Sequence, residues 1–267
     1  MNRLTTTFNA LAKAQRRALV GYLTAGDPDF DASLGILQGA IKAGLDVLEL
    51  GVPFSDPTAD GPVIQLASAR ALKSGMNVSR VLELARCIRA THATVPIVLF
   101  SYYNPLLHYG LERLAKDADA AGVDALLIVD LPPEEAAELR APFTGHDLPL
   151  IRLVAPTTSP ERMAHVAKDA GGFLYLITRT GVTGAGVLDR ARIQQLAAHL
   201  KSLTPLPICL GFGISSAADV RQLAGLADGV VVGSALVKIV AEHAADGKAA
   251  SLVAAKVTEL RTALDAM

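Results

Sequence analysis

The sequence predicts an α/β fold, a (β/α)8 TIM barrel with one extra N-terminal helix, as a single domain over residues 1–267. Three observations carry that expectation. Eight short apolar runs recur along the chain, and each is followed by an amphipathic or Ala-rich stretch or a helix-opening loop. Continuous β-α alternation implies parallel strands with right-handed crossovers, and eight such units close naturally into a barrel. No Gly/Ser linker or shift in composition divides the chain. A doubly wound open sheet is the alternative on pattern alone.

The elements follow in order. Residues 1–26 carry Arg3, Lys13, Arg16 and Arg17 with no acid, which faintly resembles a transit peptide. A strand begins at about Ala18, so a short cap helix is the favoured reading. The next strands are expected at Asp46–Leu50, Val95–Ser101 and Ala125–Asp130. Pro132-Pro133-Glu134-Glu135 then puts two acids where a helix dipole favours them. After a fifth strand at Leu150–Val154, Thr158-Ser159-Pro160-Glu161 is a capped helix start. Strands at Phe173–Thr178, Ile208–Gly211 and Gly229–Val232 complete the set, and Ser216 with Asp219 repeats the capping logic. Leu252, Val253, Val257, Leu260 and Leu264 fall at helical spacing in the last segment.

Composition narrows the function. Hydrophobic residues are 51% and aromatics 4%, with no Trp, so aliphatic side chains and Ala must fill the interior, as in covered parallel strands. Charges nearly cancel, 25 basic against 26 acidic, and no basic stripe or zinc-finger spacing points to nucleic acid. No apolar run reaches the ~18 residues of a membrane span. Cys87 and Cys209, in an expected helix and strand, read as reduced core cysteines and fit a reducing, cytoplasmic setting.

In such a barrel chemistry sits at the C-terminal strand ends. Glu49 interrupts the second strand. With period 2 it shares a face with Val47 and Gly51, while Leu48 and Leu50 face the helices, so Glu49 points inward. An acid there needs partners or a task. It is read as catalytic, with a structural acid paired to a buried Arg as the alternative. Asp56 and Asp60 follow in a Pro/Gly loop and could equally be turn formers; Asp130 could cap the next helix. Tyr175 lies two residues from Phe173 and Ile177, on their face. Gly213, Gly233 and Ser234 follow the last two strands, where backbone amides at helix starts attract phosphate; plain turns are the alternative. Arg179-Thr180-Gly181-Val182-Thr183-Gly184-Ala185-Gly186 reads either as a surface loop or as a lid whose Thr183 and Gly184 add phosphate donors. No strand end carries Lys, which disfavours a Schiff-base aldolase. The six His show no ligand spacing, which disfavours a metal-dependent aldolase or epimerase. Carboxylate acid–base chemistry remains.

The run from Leu48 to Gln65 (LELGVPFSDPTADGPVIQ) closely resembles the signature of the tryptophan synthase alpha chain family. So do Thr180-Gly181-Val182-Thr183-Gly184-Ala185, Gly211-Phe212-Gly213-Ile214-Ser215 and Gly233-Ser234-Ala235. The likeness covers nearly the whole chain. It implies a lyase of tryptophan biosynthesis that cleaves indole-3-glycerol phosphate to indole and glyceraldehyde 3-phosphate, with no cofactor of its own. Glu49 matches the family's main acid–base residue, Asp60 its second carboxylate, and Tyr175 a pocket tyrosine. Gly184, Gly213, Gly233 and Ser234 match phosphate-binding positions. Tyr22, Phe100 and Phe212 match the indole pocket, with Thr183 counted among them; Tyr22 departs from the phenylalanine the resemblance leads one to expect. The resemblance also implies a beta chain carrying pyridoxal phosphate, in an α2β2 tetramer, docked near Pro53–Asp56 and Asn104–His108. The alternatives are a stand-alone indole-3-glycerol phosphate lyase, another phosphate-sugar enzyme on the same barrel, and an inactive alpha-like activator.

Overall fold

Eight parallel strands pair in sequence order, and β8 returns to β1 to close the barrel. The computed structural model describes residues 2–178, 189–211 and 213–266. The strands are β1 Ala18–Thr24, β2 Val47–Gly51, β3 Ile97–Ser101, β4 Ala125–Ile128, β5 Leu150–Val154, β6 Leu174–Ile177, β7 Ile208–Gly211 and β8 Gly229–Val232. α1 (Arg3–Lys13) precedes β1 and α2 (Phe30–Lys42) follows it. α3 (Pro62–Lys73) and α4 (Val78–Thr91) join β2 to β3; α5 (Tyr103–Tyr109) and α6 (Leu111–Ala120) join β3 to β4. α7 (Ala137–Phe143), α8 (Pro160–Asp169), α9 (Arg190–Leu203) and α10 (Ala217–Leu223) serve the next four crossovers. α11 (Ser234–His243) and α12 (Ala249–Asp265) follow β8.

The predicted strands are present with small shifts at their ends. β3 starts at Ile97 rather than Val95, because Pro96 has no N–H to donate, although its carbonyl accepts from Leu48 at 3.0 Å. β4 stops at Ile128, where Asp130 turns away to accept the Tyr103 N–H at 2.7 Å. Asp130 therefore caps α5, across the barrel rim, and not the helix that follows it. Pro133–Glu135 forms one 3-10 turn ahead of α7, so the two acids open a short turn and not a long helix.

Period-2 alternation sorts the strand residues into two layers. Val20, Val47, Val98, Leu127, Ile151, Phe173, Tyr175, Cys209 and Val231 pack inside the barrel. Leu48, Leu50, Leu99, Leu126, Leu174, Leu176 and Leu210 pack between strands and helices. α1 closes the N-terminal end: Leu4, Phe8 and Leu11 enter the interior layer, and the Phe8 and Phe173 rings meet at 5.7 Å. Asn2 caps α1 by accepting from Leu4 N–H and donates to the Asp124 and Asp147 carbonyls. With α1 across its bottom, the barrel interior opens, among the described residues, at the C-terminal strand ends. Among the described residues no helix is long and apolar enough to cross a membrane. Cys87 lies in α4 and Cys209 in β7, both as free thiols.

Candidate active site

A cavity of about 540 Å³ opens at the C-terminal strand ends and is lined by Tyr22, Glu49, Asp60, Phe100, Tyr175, Gly213, Gly233 and Ser234. Eight residues singled out from the sequence thus converge on one space from β1, β2, β3, β6 and the loops after β2, β7 and β8. Val129, Leu153, Ile177, Ile64 and Val231 supply its apolar wall.

Glu49 stands between Val47 and Gly51 on the inward face of β2 and is 1% exposed. Its Oε1 has no hydrogen-bond partner and no cation pairs with it among the described residues. The alternative of a structural acid bound to a buried Arg therefore finds no support. Burial without compensation raises its carboxyl pKa to about 8. A carboxyl in that state starts protonated near neutral pH and can still give up its proton, which is what an alternating acid and base requires.

Asp60 ends the loop after β2, one residue before Gly61 caps α3. Its carboxylate accepts from the Tyr102 hydroxyl at 3.1 Å, and its own carbonyl accepts from Gln65 Nε2 at 2.9 Å. Burial raises its pKa to about 6, while the Tyr102 hydrogen bond pulls in the opposite direction. Two carboxyls with different surroundings thus titrate apart within one cavity. Asp56, by contrast, lies exposed on the outer part of the loop, its carbonyl accepting from Thr58 N–H. Asp60 does close a turn, its N–H donating to the Pro57 carbonyl at 3.1 Å, but its side chain is buried at the cavity, whereas that of Asp56 is exposed.

The Tyr22 ring leans from β1 over Gly51 to meet Phe100 edge-on, centroids 5.0 Å apart at 72°. Its hydroxyl lies 3.4 Å from Thr24 Oγ1. Tyr175 is buried on β6, and burial, reinforced by Glu49, drives its hydroxyl pKa well above the ordinary value. Burial pushes the Tyr22 hydroxyl up as well, so both phenols are neutral.

Across the mouth, Gly233 is the N-cap of α11 and Ser234 its first residue, and both are accessible. First-turn amides have no intrahelical acceptor, so they and the helix dipole favour an anion. The sequence places Gly213 at a helix start as well. It lies instead in a turn, with φ of 77°, three residues before Ser216 caps α10. The α10 end is already filled by its own capping box, in which Asp219 accepts from the Ser215 and Ser216 amides. Of the two helix starts, that of α11 has no side-chain cap hydrogen bond, whereas that of α10 does.

Thr183, Gly184 and the rest of 179–188, and Phe212, lie outside the described residues. Tyr102, which follows β3 in Ser101-Tyr102-Tyr103-Asn104, joins the site without a sequence motif to mark it. Its strand-end position, two residues from Phe100, was the available signal. No group of three or more His, Cys, Asp or Glu able to hold a metal occurs among the described residues.

A sequence model of the family described as tryptophan synthase alpha chain matches residues 8–265. The tryptophan synthase alpha chain of Desulfosudis oleivorans is 50% identical over 263 residues, 98% of this chain and 99% of its own. That of Desulfatibacillum aliphaticivorans is 52% identical over 91% of each chain. The crystal structure of tryptophan synthase subunit alpha from Legionella pneumophila superposes with a TM-score of 0.92 at 37% identity, over 100% of both chains. A chain of Mycobacterium tuberculosis tryptophan synthase gives a TM-score of 0.89 at 36% identity, over 98% of both.

Proposed function

This chain belongs to the tryptophan synthase alpha chain family, and on that premise we propose that it cleaves indole-3-glycerol phosphate with Glu49 and Asp60 as its working carboxyls. The observation that carries the reading is the convergence of an unpartnered, protonatable Glu49 and a hydrogen-bonded Asp60 on one cavity, with the α11 amides at its far rim. The chain's role is the alpha-subunit lyase step of tryptophan biosynthesis.

Breaking the bond between indole C3 and the glycerol chain needs a proton on C3 and loss of the proton from the adjacent hydroxyl. Glu49 starts protonated and donates to C3, which makes the ring an indolenine-like leaving group. The resulting carboxylate takes the hydroxyl proton as the carbon–carbon bond breaks and the hydroxyl carbon becomes the aldehyde of glyceraldehyde 3-phosphate. The residue ends as it began, so no other acid or base is consumed. Asp60 accepts the indole N–H and stabilises positive charge developing on the ring. Tyr22 and Phe100 pack on that ring, and Tyr175 borders the reacting bond. Gly213, Gly233 and Ser234 hold the phosphate, whose binding energy positions the bond to be broken.

The family's alpha chain carries no cofactor; pyridoxal phosphate belongs to the beta chain with which it works. The groove lined by Pro53, Phe54, Asn104 and His108 supports docking of that partner beside the Asp60 loop, in an α2β2 assembly. The reading extends to a single barrel domain acting in the cytoplasm. Indole release from indole-3-glycerol phosphate, measured with and without a beta chain, tests it. Turnover in the chain alone supports the lyase reading, a rate increase with the beta chain supports the partnership, and no indole under either condition sinks both.

A further inference from the structure

The Tyr102 hydroxyl makes two hydrogen bonds of opposite sense. It accepts from the Ala59 N–H at 2.9 Å and donates to Asp60 Oδ2 at 3.1 Å. A phenol has a single hydrogen, and here the Asp60 carboxylate is its acceptor. That hydrogen goes to an oxygen with a free lone pair, and an ionised carboxylate is the stronger acceptor for it than the neutral acid. The ring cannot swing away: it is 3% exposed and lies against Phe54, centroids 5.3 Å apart. Tyr102 follows directly on β3, so Asp60, at the end of a long loop, is staked through this hydroxyl to the barrel wall.

No cation pairs with Asp60 among the described residues. Tyr22 of β1 and Glu49 of β2 line the same cavity, and Asp130 approaches Tyr102 from the loop after β4. These groups are neutral or acidic, so none of them favours a negative charge on Asp60. The Tyr102 hydrogen bond is what opposes the effect of burial on that carboxyl.

We propose that Tyr102 is a positioning residue for the lyase reaction, its hydroxyl fixing the Asp60 carboxylate beside the cavity and holding it in the ionised form that the leaving indole ring requires. This rests on the role given to Asp60 above. Tyr102→Phe removes the hydroxyl and keeps the ring against Phe54. The isolated full chain is assayed for indole release across pH, as wild type and Tyr102→Phe, each with and without Asp60→Asn. The acidic limb of the kcat profile is expected to move to higher pH, with kcat falling about ten- to hundredfold near neutrality and KM changing far less. In the Asp60→Asn background the same change is expected to cost little. An unmoved limb, or equal losses in both backgrounds, overturns the proposal. Carbon-13 NMR titration of the Asp60 carboxyl, in ligand-free wild type and Tyr102→Phe, reads the hold directly. It decides the matter even where indole release is absent and the lyase reading itself has failed; an unchanged titration overturns the proposal on its own.

Discussion

The Tyr175 hydroxyl stands 2.0 Å from the point where a Cβ on Gly211 would lie, and two carbons of its ring are at 2.3 and 2.6 Å. Tyr175 pairs with Cys209 in the register of β6 and β7, so its side chain leans up two pairs, to the next inward-facing position, to cover Gly211. The absent side chain on β7 is the space in which a cavity-lining phenol sits. Gly51 and Tyr22 repeat the relation on β1 and β2, with the hydroxyl at 2.4 Å.

Gly211→Ala is accordingly expected to lose stability by about 1–3 kcal/mol, the usual range for overpacking, and to push Tyr175 out of place in the cavity. Tyr175→Leu shortens the side chain and frees the space. The double variant should be less impaired than the sum of the singles, because the two changes meet at one contact. Denaturant midpoints of the four proteins give the interaction free energy, and simple additivity contradicts the packing relation.

Glu49→Gln should keep the fold and phosphate-ligand binding while turnover drops by orders of magnitude. It should also change stability with a definite sign. The Glu49 pKa is about 8 in the folded chain against 4.5 for the free side chain. Between those values the folded state binds the extra proton, so wild-type stability falls as pH rises from about 4.5 to about 8 and is level above that. Glutamine does not titrate. The variant should gain on the wild type over that window, by a margin larger at pH 8 than at pH 5. Equilibrium unfolding at the two pH values measures the difference, and a margin independent of pH contradicts the buried, unpaired state of Glu49.

The barrel, its strand positions and the inward aim of Glu49 were legible in the sequence because all depend on local periodicity. Apolar runs mark strands, and period 2 alone decides that Val47, Glu49 and Gly51 face inward. The Ser216–Asp219 capping box was legible for the same reason. Contacts between segments far apart in sequence were not. The Tyr102 bond to Asp60 joins residues 42 apart, and Asp130 reaches back 27 residues to cap α5. Gly213 was placed at a helix start because Gly after a strand signals a turn or a helix entry equally well; its positive φ and the Ser216 cap separate the two.

Asp60→Asn and Asp56→Asn should part company. Asp60 is buried in the cavity and holds the Tyr102 hydroxyl, whereas Asp56 is exposed on the loop. The first is expected to lower kcat in the isolated chain by about 10²–10³, the range for losing a group that stabilises developing charge. The second should leave that rate alone and reduce the stimulation given by a beta chain. Wild-type activity should also fall on acidification through about pH 6, as the Asp60 carboxylate becomes protonated. The same raised pKa means that Asp60 contributes stability below its unfolded value that is lost as pH rises through about 6. Activity and the Asp60 share of stability therefore respond to acid in opposite directions. Steady-state rates of both variants, alone and with the partner, separate the two residues; equal losses contradict the assignment.

Gly213→Ala tests the phosphate rim. With φ of 77°, Gly213 occupies the left-handed region, where a Cβ costs about 1–2 kcal/mol. The turn relaxes to avoid that cost and moves Gly213, which lines the cavity. Glu49 and Asp60 stand on β2 and its loop, so the reacting groups are left in place. The loss should fall mainly on binding: KM for indole-3-glycerol phosphate rises, and the inhibition constant for inorganic phosphate rises in parallel. A change confined to kcat, with phosphate inhibition untouched, would remove Gly213 from the phosphate site and leave α11 to hold the anion alone.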